Sequence, residues 1–233
     1  MNFLKVEHVS TGYDKKQVIF DVSFEMQKGE TLLIIGSNGS GKSTLLKTIY
    51  GLLKPWDKES KIWYNDKIIT NCEPFQLIKK GIVYIPQQNE LFEDLTVKEN
   101  LELSGMQSIS KRALKQKIDA ILEQMPILKP LLKRECSRLS GGERKQLTLS
   151  MALINQPKLI MLDEPFAGLS PKVTYDIISK LKWLKNTGIS LIIIEHRLKD
   201  IFALADRVIG LKLGRLFGEK INTIEEGMKK VMI

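Results

Sequence analysis

The chain has 233 residues, 43% of them hydrophobic and 27% charged, enough apolar material to pack a core in one large domain or two small ones. Its 36 Lys and Arg against 27 Asp and Glu leave a formal charge of +9, which favours an anionic partner such as nucleotide, nucleic acid or an acidic membrane face. No run approaches the roughly 20 apolar residues of a membrane span, MNFLKVEHVS lacks the apolar stretch of a signal peptide, and Cys72 and Cys136, with no C-x-x-C or neighbouring histidine, argue against a disulfide framework or metal site and for reduced thiols in a cytoplasm.

In chain order, FLKVEHVSTGY, QVIFDVSFEMQKGE and SKIWYNDKII show partial alternation and hairpin-like breaks, and are predicted to form an antiparallel layer. Continuous apolar runs lie at residues 31–36 (TLLIIG), 81–86 (GIVYIP), 158–165 (KLIMLDEP) and 190–196 (SLIIIEH). Runs of this kind suit strands covered on both faces, hence a mainly parallel sheet between helices, although their spatial order is not legible. Helical periodicity falls between them at 42–52, 111–125, 143–155 and 172–186. Residues 93–155 read as almost wholly helical, broken at Pro126 and Pro130, and are predicted to be an insertion in the α/β core. There is no internal repeat and no low-complexity tract.

The stretch GSNGSGKST, Gly36 to Thr44, fits G-x-x-x-x-G-K-[ST] directly after one apolar strand and before a helix. Here Gly36, Gly39 and Gly41 let backbone N–H groups turn inward, Ser37, Asn38 and Ser40 fill the loop, and the helix start adds partial positive charge. Lys42 is expected to reach the β and γ phosphates, Ser43 to offer a hydroxyl to Mg²⁺, and Thr44 with the amides of 39–43 to hold the α and β phosphates. The plain alternative is a glycine-rich turn with a solvated lysine.

LIMLDE ends an apolar strand with two carboxylates that strand alternation sends to opposite sides. Asp163 would support Mg²⁺ or its waters, and Glu164 would polarise the water that attacks the γ-phosphate; as a bare pair they fit equally well as exposed acids before Pro165. His196 closes another strand, where it can hydrogen-bond a γ-phosphate oxygen, whereas His8 reads as surface or packing. Gln87 follows GIVYIP and offers an amide to Mg²⁺ or water. Tyr13, in a Gly-containing turn, can stack on a purine or simply pack.

Tyr13, GSNGSGKST, Gln87 in YIPQ, LSGGE at 139–143, LIMLDEP, AGLS at 167–170 and His196, in that order, make the chain similar to the ATP-binding cassette ATPases along nearly its whole length. The resemblance implies one nucleotide-binding domain over residues 1–233: a P-loop NTPase, RecA-like α/β core with an N-terminal antiparallel layer and a helical subdomain at about 93–155. It implies ATP and Mg²⁺ as cofactors, with Tyr13 and the loop on the nucleotide, Ser43, Gln87 and Asp163 on the metal, and Lys42, Gln87, Glu164 and His196 in catalysis. It also explains why LSGGERKQ repeats an anion-binding helix start: two such subunits stack head to tail, as homodimer or heterodimer, and Ser140, Gly141 and Gly142 of one clasp the γ-phosphate held by the other. Ser170 stands where the family commonly has an acid, which weakens one expected cross-dimer contact. Cys136 reads as a small buried hydrophobe.

A single loop and signature, with no membrane segment and no further domain, are similar to a stand-alone transporter subunit docked on separate permease subunits at the cytoplasmic face of the membrane, without contact to cargo. IPQQNELFEDLTVKENL, MPILKPLLKRECSRLSGGE and DEPFAGLSP resemble the ATPases of branched-chain amino acid importers. Residues 88–99, with Leu91 and Phe92, are the expected groove for a permease helix, ordinary packing being the alternative. A rival reading is an ATP-gated clamp on nucleic acid or cluster-assembly machinery. Scattered basic residues without interleaved aromatics do not favour it.

Overall fold

The computed structural model describes residues 3–88, 91–106, 110–196 and 201–217. Strand β1 (Leu4–Tyr13) lies between β2 (Lys16–Met26) and β4 (Lys61–Tyr64), with β5 (Lys67–Ile68) beyond, in the antiparallel order β2-β1-β4-β5. This is the expected N-terminal layer. The β1–β2 ladder changes register between Val6 and Val9. Leu4 and Val6 before that bulge, and Val9 and Thr11 after it, are all buried, because one extra residue shifts the two-residue phase.

The second sheet holds β3 (Thr31–Ile35), β6 (Ile82–Ile85), β7 (Leu159–Asp163), β8 (Ser190–Ile194), β9 (Arg207–Lys212) and β10 (Arg215–Phe217), in the order β10-β9-β3-β8-β7-β6. All neighbours are parallel except the β9–β10 hairpin. The continuous apolar runs resolve into two faces with a period of two. Leu33, Ile35, Val83, Ile85, Ile160, Leu162, Leu191 and Ile193 enter one core. Leu32, Ile34, Ile82, Tyr84, Leu159, Met161, Ile192 and Ile194 enter the other. Burying both faces removes the polar positions that would have revealed the alternation.

Helix α1 (Lys42–Ile49) fills the space between this sheet and the antiparallel layer, Leu45, Leu46 and Ile49 being fully buried. Helix α2 (Pro74–Lys79) follows the antiparallel layer. The opposite face carries α3 (Val97–Gly105), α4 (Lys111–Gln124), α5 (Gly141–Ile154) and α6 (Pro171–Asn186). Thr96 and Ser140 each accept the backbone N–H three residues on, while Glu99 and Glu143 reach back, so both helices begin in capping boxes. Pro126 and Pro130 turn the chain into a 3₁₀ segment over Pro126–Leu131.

Among the described residues the sequence reading did not anticipate α2, β9 or β10. Strand β9 runs only Arg207–Lys212, is interrupted by Gly210, and carries basic residues at both ends, so it lacks the apolar continuity of its neighbours. The 93–155 stretch is also less helical than expected. Residues 91–96 form an irregular loop held by the buried amide of Asn100, whose Oδ1 accepts from Phe92 N (2.9 Å) and whose Nδ2 donates to the carbonyls of Phe92 (3.0 Å) and Thr96 (3.1 Å) and to Cys136 Sγ (3.2 Å). Cys136 is fully buried and both cysteines are free thiols. Among the described residues no helix is long and apolar enough to cross a membrane.

Candidate functional site

The C-terminal ends of β3, β6, β7 and β8 share one edge of the parallel sheet, where segments leaving adjacent strands converge. A cleft of about 450 Å³ opens there, lined by Tyr13, Val18, Gln87, Glu164 and the loop residues Asn38, Gly39, Gly41, Lys42, Ser43 and Thr44. Two glycines of the loop are sterically required. Gly41 has φ 103 and an added Cβ would lie 2.7 Å from Ile19 Cδ1; at Gly36 it would lie 2.2 Å from the Leu211 carbonyl oxygen.

The ammonium of Lys42 is turned back on its own loop, donating to the carbonyls of Gly36 (3.0 Å) and Ser37 (2.9 Å). Lys42 is 5% exposed, which disposes of the solvated-lysine reading. Burial lowers its pKa, while the charges of Glu164, Asp163 and Glu195 oppose that shift. An anion entering the cleft therefore meets a charge already desolvated, which strengthens the attraction.

Ser43 Oγ donates to Asp163 Oδ1 at 3.0 Å, joining the phosphate loop to the end of β7. The other carboxylate oxygen, Oδ2, accepts from Tyr84 OH at 3.0 Å. Burial first, then the charge of Asp163, pushes the Tyr84 pKa far up, so this phenol remains a donor. Sequence reasoning missed Tyr84. The signal was a tyrosine inside an apolar strand, since a buried phenol needs a polar partner.

Asp163 and Glu164 separate as expected, but for a different reason. Glu164 lies outside the strand with φ 47, its N–H donating to the Ile194 carbonyl at 3.0 Å, so a left-handed turn aims its side chain, not strand alternation. Glu164 Oε2 accepts from Gln87 Nε2 at 2.8 Å, and Glu164 Oε1 lies 3.9 Å from His196 Nδ1. The left-handed backbone of a non-glycine residue at this point is a local strain of the kind concentrated at functional sites.

Other expected residues sit differently. Tyr13 ends β1 instead of lying in a glycine turn; Gly12 is within the strand, where a Cβ would come within 2.0 Å of the Lys16 carbonyl oxygen. The Tyr13 ring is 42% exposed at the cleft mouth, and Thr44 Oγ1 donates to its hydroxyl at 3.5 Å. Gly36, Ser37 and Ser40 do not line the cleft. Ser40 is buried beneath the loop, its carbonyl accepting from Gly214 N at 2.9 Å, because the loop rests on the β9–β10 hairpin. Ser140, Gly141 and Gly142 cap α5 away from this cleft, and Ser140 and Gly141 are solvent-exposed, so one chain does not bring its two anion-binding helix starts together. Ser170 caps α6 without a side-chain hydrogen bond. Of the 88–99 segment, residues 89–90 lie outside the described residues; Leu91 packs against the core and Phe92 is 60% exposed. His8 is on the surface, 2.8 Å from Asp21.

The donor set fits a hard cation. A serine hydroxyl, a carboxylate and a carboxamide oxygen are what Mg²⁺ takes alongside phosphate oxygens and water. Among the described residues no group of three or more His, Cys, Asp or Glu could hold a metal ion.

The sequence profile of the family described as ABC transporter matches residues 19–167. The chain is 35% identical over 216 residues to the probable branched-chain amino acid transport ATP-binding protein LivF of Archaeoglobus fulgidus, covering 91% of this chain and 89% of that protein. It is 34% identical over 215 residues to the molybdate/tungstate import ATP-binding protein WtpC of Thermococcus kodakarensis, covering 91% of this chain and 63% of the other. Among solved structures, the ADP conformation of an ATP-binding cassette of an ABC transporter superposes with a TM-score of 0.87 at 32% identity, covering 100% of this chain and 97% of that one. A dimeric post-hydrolysis cassette bound to ADP and Pi superposes with a TM-score of 0.82 at 26% identity, covering 95% and 100%. The chain belongs to the ABC transporter family, as an ATP-binding and ATP-hydrolysing subunit.

Proposed function

We propose that the chain is one nucleotide-binding domain that dimerises around Mg-ATP and powers import of branched-chain or other amino acids through separate membrane subunits at the cytoplasmic face. The observation that carries the catalytic part is the convergence of Lys42, the Ser43–Asp163 pair and the Gln87–Glu164 pair on one cleft.

In this reading Lys42 reaches the β and γ phosphates, Thr44 and the amides of residues 39–43 hold the α and β phosphates, and the two carbonyls now bonded to Lys42 give way to phosphate oxygens. Ser43, Asp163 and Gln87 are the groups that would hold Mg²⁺, which would supply neutralisation of phosphate charge when bound. Glu164 orients the attacking water. Gln87, by donating to Glu164, fixes the carboxylate's rotamer and links it to the segment that follows β6. His196 supports the γ-phosphate and Tyr13 stacks on the base.

Ser140 and Gly141, exposed, and Gly142, partly buried beside them, do not line the cleft of their own chain and are available to the nucleotide of a second copy. The dimeric form of a related cassette supports this arrangement. Phe92, exposed beside a loop fastened by Asn100, is the contact offered to a permease helix. Similarity to molybdate/tungstate importers supports an oxyanion cargo as a second reading, and cargo is chosen by the membrane subunits in either case.

The test is Glu164→Gln with Mg-ATP, followed by light scattering. Turnover should be lost while ATP binding persists and the particle mass doubles; a monomer with undiminished hydrolysis would contradict both roles. Phe92→Ala should weaken capture of the membrane partner, and unchanged capture and coupling would remove that contact from the scheme.

A further inference from the structure

Glu195 joins β8 to His196, is 0% exposed, and has no part in the roles assigned above. Burying a carboxylate costs several kcal/mol unless local charge and hydrogen bonds offset it. Its register places it beside the phosphate loop, since Ile34 pairs with Ile194 and the next residues of β3 lead into Gly36. One oxygen has two relations to His196. Glu195 Oε1 accepts from the His196 backbone N–H at 2.8 Å and lies 3.3 Å from Nδ1 of the same residue. On another side, Glu164 Oε1 lies 3.9 Å from that Nδ1.

Nδ1 therefore faces two carboxylate oxygens. A lone pair there would point into negative charge, whereas an N–H is attracted to it. We propose that Glu195 is a positioning residue that fixes the proton of His196 on Nδ1, committing the ring to meet the nucleotide through Nε2. The imidazole is half-exposed while the Glu195 carboxylate is buried. A neutral ring so held leaves Nε2 an acceptor; only the imidazolium also carries a donor there. The inference rests on the proposed place of His196 at the phosphate end of the site.

The chain has only two histidines, so ¹⁵N-histidine labelling gives two ring systems, separable with a His8→Ala variant. Spectra of the nucleotide-free protein at about pH 9, where an imidazole of ordinary pKa is neutral, should show the His196 proton on Nδ1. In Glu195→Val it should move to Nε2, and in Glu195→Gln, whose carbonyl still accepts, it should stay largely on Nδ1. Because an Nε2–H can donate to a phosphate oxygen, turnover at saturating ATP should not fall in Glu195→Val, with KM within about twofold, and the proton position is the readout that carries the test. An Nε2 proton in the unsubstituted protein overturns the proposal, whatever the variants do. So does an identical proton position in Glu195→Val. A shift of the proton without any effect on turnover upholds the action of Glu195 on His196, and His196→Ala with normal hydrolysis then identifies the role of His196 as the part that fails.

Discussion

Replacing Tyr84 with Phe tests whether the metal-site carboxylate is held from beneath by the core. The phenol donates to Asp163 Oδ2 at 3.0 Å in a region where Asp163 is 3% and Tyr84 9% exposed. Because burial and the Asp163 charge drive the phenol's pKa far up, Tyr84 stays a neutral donor to the carboxylate. Removing one hydroxyl forfeits a hydrogen bond to a charged group worth about 1.5–3 kcal/mol. The oxygen-sized gap adds little, since the ring still fills the site. A loss of about 2 kcal/mol corresponds to roughly 4–8 °C in Tm for a chain of this size. Urea unfolding with the slope held common measures it. Ser43→Ala removes the other donor to the same carboxylate, but from the cleft side, where water can take its place. It should cost less than about 1 kcal/mol in stability and far more in Mg-dependent nucleotide binding. A Tyr84→Phe protein within about 0.5 kcal/mol of the parent, or a larger stability loss in Ser43→Ala, would refute the view that Tyr84 anchors Asp163.

Other expectations follow from the same geometry. Lys42→Met removes a buried charge and should leave the nucleotide-free fold as stable or slightly more stable by denaturant titration, while weakening ATP binding at least fiftyfold, about 2.3 kcal/mol, in titration with a fluorescent analogue. Asn100→Ala strips the partners from the Phe92 amide and from Cys136, and should cost about 2–3 kcal/mol with faster amide exchange across 91–96. His8 is held above the usual histidine pKa chiefly by its hydrogen bond to Asp21. The contribution of that pair is present below about pH 6.5 and is lost as pH rises through the raised folded-state value; Asp21→Asn should return the His8 titration to the ordinary position by NMR.

Much of the site was legible in the sequence because its chemistry is written in contiguous residues. GSNGSGKST carries glycines, lysine and hydroxyls in the order a phosphate cradle needs, and LIMLDE and SLIIIEH end apolar strands with the polar groups that strand ends present to ligands. The buried strands themselves were visible as apolar runs, since only elements covered on both faces have no polar positions. What contiguity does not carry was decided by the tertiary structure. Strand order brings Gly36, Gln87, Asp163 and His196 to one edge although up to 160 positions separate them in the chain. Tyr84 became a site residue only when β6 was set beside β7, and Glu195 only when β8 was set beside β3. The left-handed turn at Glu164 likewise depends on a hydrogen bond to Ile194, thirty residues away. Residue type and spacing determine which groups can bind phosphate; which way those groups face is determined by long-range pairing and burial, where backbone partners come from distant parts of the chain.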